Sequence, residues 1–309
     1  MTLGILLMVG GFVLLAFSAD RFVLAAARLA KLWGMSTLLI GAIVVGMGTS
    51  LPELLVSISG GLDSFDLGIG NITGSNVANL SLVLGMAVII SPIFGSAKVL
   101  KDEGSVTLVA MGIFTIVLRD GGLDRFDGVV LLITMAWAMW QLLHLESSKP
   151  ETELFSEVGE GIQDDVSAPK ELAFAAVTLV AMLFGADFLT DGALIIAEEA
   201  GLSEGFVGRT LVAVGTSLPE LAAAVAAARQ REHELILGNL LGSNIFNSAL
   251  VAGTLALVSP GVLTEPVIPA LGFMMGIVVL AGIFAVTRSI SRLEGLGLLV
   301  AYGAFVWLA

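Results

Sequence analysis

Two copies of the hexapeptide GTSLPE contain the residues best suited to binding a cation. One copy spans residues 48–53 and the other spans residues 215–220, each within a long apolar stretch. A proline inside a helix removes a backbone donor, so we predict breaks near Pro52 and Pro219 that expose carbonyl oxygens. Glu53 and Glu220 would supply negative charge in the middle of these apolar stretches. Hydroxyl oxygens come from Thr49, Ser50, Thr216 and Ser217.

A second motif, rich in glycine and asparagine, follows each hexapeptide. It reads GNITGSNVAN at residues 70–79 and GNLLGSNIFN at residues 238–247. Its glycines permit close helix approach and interruption of a helix. Neutral oxygens one helical turn apart on one face are offered by Ser75, Asn79, Ser243 and Asn247. The remaining asparagines could also be ligands, but we expect helix capping at the break from Asn71, Asn76, Asn239 and Asn244.

The two glutamates give this oxygen set its charge. Carboxylate, amide, hydroxyl and carbonyl oxygens suit Na+ and Ca2+ better than softer metals. A proline kink beside small hydroxyl residues is also an ordinary packing device in membrane helices. Two buried acids that meet would repel each other unless a cation lies between them, which favours a cation site.

The composition is that of a polytopic membrane protein. Apolar residues make up 57% of the 309 residues and charged residues only 13%, and the mean hydropathy is +1.00. The absence of cysteine excludes disulfides, thiolate metal sites and thiol catalysis. The N-terminal stretch has no basic leader or small-residue cleavage site, so we expect a retained helix. Ten apolar stretches of helix-spanning length occur near residues 3–30, 37–60, 68–91, 103–118, 128–145, 171–197, 205–228, 235–258, 267–286 and 293–309.

The paired motifs divide the chain into two halves. Asp20 precedes the first pair and Asp187 the second by the same interval. We predict a first five-helix repeat at residues 1–145, with its motif region at 46–80, and a second at 171–309, with its motif region at 213–248. Because five is odd, the second repeat is inverted relative to the first. The predicted fold is therefore all-α and integral to the membrane, with ten transmembrane helices and broken helices at the ion site.

The basic residues predict the orientation. With both termini outside, eleven of the fourteen lysines and arginines fall on the cytoplasmic side, as the positive-inside rule requires. The connection at residues 146–170 is then cytoplasmic, and its seven acids make a disordered, solvated linker the expectation. The compact size favours a multi-pass protein of a prokaryotic inner (plasma) membrane, with extracellular or periplasmic termini.

The paired motifs resemble the two alpha repeats of the calcium/cation antiporter superfamily, and of prokaryotic sodium/calcium exchangers in particular. The resemblance covers essentially the whole chain apart from the linker. The resemblance implies that Glu53 and Glu220 are shared Ca2+ and Na+ ligands. It also implies a central diamond completed by Asn79 and Asn247. Flanking sodium sites would be lined by Thr49, Ser50, Ser75, Thr216, Ser217 and Ser243, with main-chain carbonyls near Gly46 and Ala213.

This sequence differs in two respects from related branches of the superfamily, and the differences indicate which ions it transports. Potassium-dependent members resemble the pattern but carry an acid where this chain has Asn247, so potassium co-transport is not expected. The proton/calcium branch carries an acid shortly after its Gly-Asn motif, where this chain has Gly74 and Gly242. Sodium is therefore the expected driving ion.

We thus predict a secondary antiporter that exchanges Na+ for Ca2+ by alternating access, with the first and sixth helices sliding past an eight-helix core. It is expected to be no enzyme, to need no cofactor, and to interact with Ca2+, Na+ and the lipid bilayer but with no nucleic acid or protein partner. Three alternatives stay open: a proton-coupled Ca2+ or Mn2+ antiporter that uses the same glutamates, a cation channel with an acidic constriction, and a membrane scaffold whose carboxylates are structural.

Overall fold

The computed structural model describes residues 2–94, 96–147, 167–200, 213–264, 266–286 and 289–308. Most of the predicted linker and the beginning of the predicted seventh span lie outside the described residues. The predicted character of the linker is therefore not tested by the structure.

Helices dominate the described residues. They are α1 (Thr2–Trp33), α2 (Thr37–Thr49), α3 (Leu51–Asp63), α4 (Phe65–Ile90), α5 (Ser96–Leu118), α6 (Arg125–Ser147), α7 (Ala168–Glu199), α8 (Ala213–Thr216), α9 (Leu218–Gln230), α10 (His233–Val258), α11 (Ile268–Val286) and α12 (Arg292–Leu308). Two short antiparallel pairings connect loops from the two halves of the chain. Strand β1 (Ile93–Phe94) pairs with β4 (Ser289–Ile290), and β2 (Gly122–Leu123) pairs with β3 (Gly261–Val262).

The long apolar helices make this a multi-pass membrane protein. Among the described residues, five helices are long and apolar enough to cross a membrane, namely α1, α4, α6, α7 and α10. A sixth span results if α2 and α3, which are bent by 41°, are counted together. The ten spans predicted from hydropathy therefore stay a prediction.

The fourth predicted span begins earlier than expected. Helix α5 starts at Ser96, whereas its apolar stretch begins near residue 103. Lys101, Asp102 and Glu103 lie in its first turns, so these turns escape a search based on hydropathy although they are helical. The apolar stretch predicted near residues 103–118 is therefore the C-terminal part of a longer helix.

Helices α1 and α7 pack along each other through glycines. A Cβ atom at Gly11 would lie 2.5 Å from the backbone nitrogen of Leu189, and one at Gly185 would lie 2.6 Å from that of Leu15. Such distances leave no room for a side chain, so the two backbones are in direct contact. Their outward faces carry exposed apolar residues such as Phe12 and Val177, as expected of helices that face lipid.

Helices α4 and α10 form the centre of the bundle. In their most apolar windows 78% of the residues are buried, against 28% in α1 and α7. Gly238 and Gly242 of α10 lie directly against backbone atoms of Leu38 and Ala42 in α2. The predicted close approach is thus confirmed for these two glycines. It was wrong for Gly70 and Gly74 of α4, where a Cβ atom would meet no neighbouring element within 4 Å among the described residues.

The predicted interruption of α4 and α10 at the glycine motif was wrong. Both helices continue through the motif and widen into π-helical turns at Asn79–Val83 and Phe246–Val251. A third π-helical segment, Gly41–Gly46, lies in α2 against α10. The tight crossing uses the glycines for packing, so the helical hydrogen bonds do not have to break there.

Candidate cation site

Two helix breaks build the site. Ser50 separates α2 from α3 with φ −85° and ψ 9°, and Ser217 separates α8 from α9 with φ −89° and ψ 5°. Pro52 and Pro219 lie in the first turn of the helix that follows, where a missing backbone N–H needs no acceptor. The breaks predicted near the two prolines are therefore present. Each turns a glutamate, Glu53 or Glu220, into the protein interior.

The two glutamates are fully buried and near each other. Both side chains have 0% of their surface exposed, and the two charges are close enough to interact. The Ser50 hydroxyl donates a hydrogen bond of 2.9 Å to Oε1 of Glu220. The Ser217 hydroxyl lies near Glu53 but makes no hydrogen bond of good geometry. Each serine at a break thus faces the glutamate of the other motif copy.

Several carboxylate oxygens have no hydrogen-bond partner within the described part of the chain. These are both oxygens of Glu53 and Oε2 of Glu220. Buried carboxylates normally have hydrogen bonds or an opposite charge, because leaving them bare costs several kcal/mol. These carboxylate oxygens are therefore suited to binding a hard cation between the two acids.

The hexapeptides and the glycine motifs also contain buried neutral oxygens. The buried polar side chains here include Thr49, Thr216, Ser75, Ser243, Asn79 and Asn247. Of these, Ser75 Oγ, Asn79 Oδ1 and Asn247 Oδ1 have no hydrogen-bond partner among the described residues. Those residues hold no group of three or more histidine, cysteine, aspartate or glutamate side chains that could bind a metal. Carboxylate, amide and hydroxyl oxygens are the ligand types that Na+ and Ca2+ prefer.

The two predicted main-chain ligands are the carbonyls of Gly46 and Ala213. The carbonyl of Gly46 accepts hydrogen bonds from the Ser243 hydroxyl at 3.1 Å and from the Thr49 hydroxyl at 3.4 Å. It therefore lies beside two other predicted ligands. Ala213 is the first residue of α8, and the role of its carbonyl stays a prediction.

The prediction that four asparagines cap helices was wrong. Asn71, Asn76, Asn239 and Asn244 all lie inside continuous helices. They instead connect elements that are distant in sequence. The Asn76 amide donates to the Ser248 hydroxyl at 2.8 Å, and the Asn71 amide donates to the Ser57 hydroxyl at 2.9 Å. Sequence reasoning missed Ser57 and Ser248, since nothing local in the sequence shows which hydroxyl a buried amide contacts.

A family comparison identifies the chain. The model for the family described as sodium/calcium exchanger protein matches residues 3–143 and 170–309. The chain belongs to this sodium/calcium exchanger family. The match covers both motif copies and omits most of the acidic connection between them.

Relatives of the exchanger family match over nearly the whole chain. The inner membrane protein YrbG of Escherichia coli is 34% identical over 100% of this chain and 97% of its own length. The sodium/calcium exchanger MaX1 of Methanosarcina acetivorans is 30% identical over 99% and 98%. The solved sodium-calcium exchanger NCX_Mj, soaked with 2.5 mM Na+ and 1 mM Sr2+, has a TM-score of 0.86 at 32% identity, covering 98% of this chain and 97% of its own. The chain is thus a membrane transporter of the cation/Ca2+ antiport class.

Proposed function

We propose that the protein exchanges Na+ for Ca2+ across a membrane, without K+, at a site centred on Glu53 and Glu220. The observation that carries the proposal is that these two carboxylates are fully buried and interact with each other. Three of their four oxygens have no hydrogen-bond partner among the described residues, and the same holds for oxygens of Ser75, Asn79 and Asn247. Asn79 and Asn247 complete the centre. The flanking ligands are Thr49, Ser50, Ser75, Thr216, Ser217 and Ser243, with the carbonyls of Gly46 and Ala213.

The charge of the site explains why exchange is coupled. Two unscreened carboxylates in a low-dielectric interior repel each other strongly, so the site without a cation is unstable. One Ca2+ neutralises the pair, and Na+ ions that share the same oxygens do so as well. Because both ions need the same glutamates, they compete for the site. The protein changes from one side's open state to the other's only when the site holds Ca2+ or Na+.

The architecture we propose is an inverted repeat of two five-helix halves, residues 1–145 and 171–309, with both termini outside the cell membrane. The matching breaks at Ser50 and Ser217 support it, as do the serine–glutamate contacts exchanged between the two copies. An odd number of spans in each half places the two copies in opposite orientation. The two glutamates then lie at the same membrane depth.

Alternating access would involve sliding of α1 and α7 against the remaining helices. The pair is joined by the Arg28–Glu171 ion pair at 3.1 Å and by its glycine contacts. Helix α1 also contacts α9, where Arg229 pairs with Asp20 at 3.2 Å and Gln230 donates to the Asp20 carbonyl at 3.0 Å. The Asp20 contacts would have to break when α1 slides past α9.

Ca2+ uptake into proteoliposomes tests the coupling ion. We expect 45Ca2+ to accumulate in vesicles loaded with Na+, because outward Na+ flow drives inward Ca2+ flow, and not in vesicles loaded with choline or K+ alone. Adding K+ to Na+-loaded vesicles should leave the rate unchanged. Uptake that ignores Na+ but follows an imposed pH gradient would instead make the protein a proton-coupled antiporter. Unitary currents in a planar bilayer would make it a channel.

A further inference from the structure

The threonine of each hexapeptide contacts the first asparagine of the other copy's glycine motif. The Thr49 hydroxyl donates to Oδ1 of Asn239 at 3.3 Å, and the Thr216 hydroxyl donates to Oδ1 of Asn71 at 3.4 Å. Both distances are long for a hydroxyl donor, so each bond is weak. The same residue types nevertheless occupy the same motif positions twice, with the copies exchanged.

The direction of the Asn71 contact follows from its other partners. Its Nδ2 donates to the Ser57 hydroxyl at 2.9 Å and lies 3.4 Å from the main-chain carbonyl of Glu53. A carbonyl can only accept, so the amide nitrogen must point toward Glu53 and the amide oxygen toward Thr216. In the contact between Thr216 and Asn71, the hydroxyl is therefore the donor and the amide oxygen the acceptor.

A hydroxyl group has one proton and two lone pairs. When an amide oxygen holds the proton, the lone pairs are left to face a cation. We infer that Asn71 and Asn239 are positioning residues, which act through Thr216 and Thr49 and turn these hydroxyl oxygens toward bound Na+. This inference rests on the proposed function, in which both threonines are sodium ligands.

The two contacts are not equivalent. Ser57 holds the Asn71 amide, but the matching position of the second copy is Ala224. Accordingly, Nδ2 of Asn239 is buried without a hydrogen-bond partner among the described residues. Asn71 should therefore matter more for Na+ binding than Asn239.

Equilibrium binding to the purified full-length protein tests this without any gradient. Bound 45Ca2+ is displaced by increasing Na+ in wild type, Asn71→Ala, Thr216→Val and the double variant. We expect Asn71→Ala to raise the Na+ concentration for half displacement roughly three- to tenfold, the size of one lost hydrogen bond. The change in Ca2+ affinity without Na+ should be smaller. The double variant should resemble Thr216→Val alone, because Asn71 acts through that hydroxyl.

Milder variants guard against misfolding. Ser57→Ala introduces the residue present at the matching position and should shift Na+ displacement in the same direction by a smaller factor. Ser59→Ala is the matched control, because the Ser59 hydroxyl is exposed. Among the described residues it donates only within its own helix, to the carbonyls of Leu55 at 2.8 Å and Val56. It should leave displacement unchanged.

The outcomes separate the two proposals. If Na+ does not displace Ca2+ from the wild-type protein, the proposed function fails before any variant is considered. If Na+ displaces Ca2+ normally but Asn71→Ala and Thr216→Val have additive effects, or Ser57→Ala has none, only the positioning role is overturned.

Discussion

Glu53→Gln should reduce both Ca2+ binding and Na+-driven Ca2+ uptake by about a hundredfold or more, since removing one partner of a buried charge set costs about 3 kcal/mol or more. The amide preserves the shape of the side chain but removes half of the negative charge at the site. Glu220→Gln should behave alike, although it also alters the hydrogen bond from Ser50. Binding of 45Ca2+ to purified protein and uptake into Na+-loaded vesicles measure the two effects.

Stability separates this result from a structural role of the acids. Glu53→Gln removes repulsion between two buried carboxylates, so its melting temperature without Ca2+ should equal or exceed that of the wild type. The control is Glu294→Gln in α12, a half-buried acid in the first turn that accepts hydrogen bonds from Ser291. It should retain uptake to within about twofold, as surface substitutions usually do. A Glu53→Gln protein with lower stability and normal uptake would favour the scaffold alternative.

Gly242→Val should destabilise the fold by about 3 kcal/mol or more, at or above the upper end of ordinary overpacking. A Cβ atom at this position would overlap the carbonyl oxygen, the Cα and the carbonyl carbon of Ala42. Backbone atoms cannot turn away as a flexible side chain can, so α10 and α2 would have to separate. Thermal denaturation in detergent, followed by size-exclusion chromatography, measures the loss.

A valine on another apolar helix provides the comparison. Apart from the adjacent backbone of α11 itself, no described atom lies within 4 Å of a Cβ atom built at Gly272, so Gly272→Val should melt close to the wild type. Because Gly242 lies beside Ser243, a proposed Na+ ligand, any Gly242→Val protein that folds should also need more Na+ to displace bound Ca2+. Equal stability of the two valine variants would contradict the tight crossing of α2 and α10.

Much of the candidate site could be predicted from local rules. Proline in an apolar stretch predicts a break, and the structure has breaks at Ser50 and Ser217 beside Pro52 and Pro219. A glutamate beside such a break is too costly to leave facing lipid. Both glutamates are indeed buried.

The rest depends on contacts between distant parts of the chain. Asn71 was expected to cap a helix because capping is the commonest local role of asparagine near a break. Its partners Ser57 and Thr216 come from elements whose packing the sequence does not reveal. The start of α5 was missed for another reason, since its first turns are helical without being apolar.

The most direct test of the account is to locate the transported cation. Crystals of the protein soaked in Sr2+, a heavier substitute for Ca2+, would show its position by anomalous diffraction. We expect one strong peak between the carboxylates of Glu53 and Glu220, with oxygens from both at roughly 2.3–2.6 Å and with Asn79 or Asn247 nearby, and no such peak in Glu53→Gln. A strong peak elsewhere in the wild type, with the two glutamates not in contact with it, would contradict the central claim.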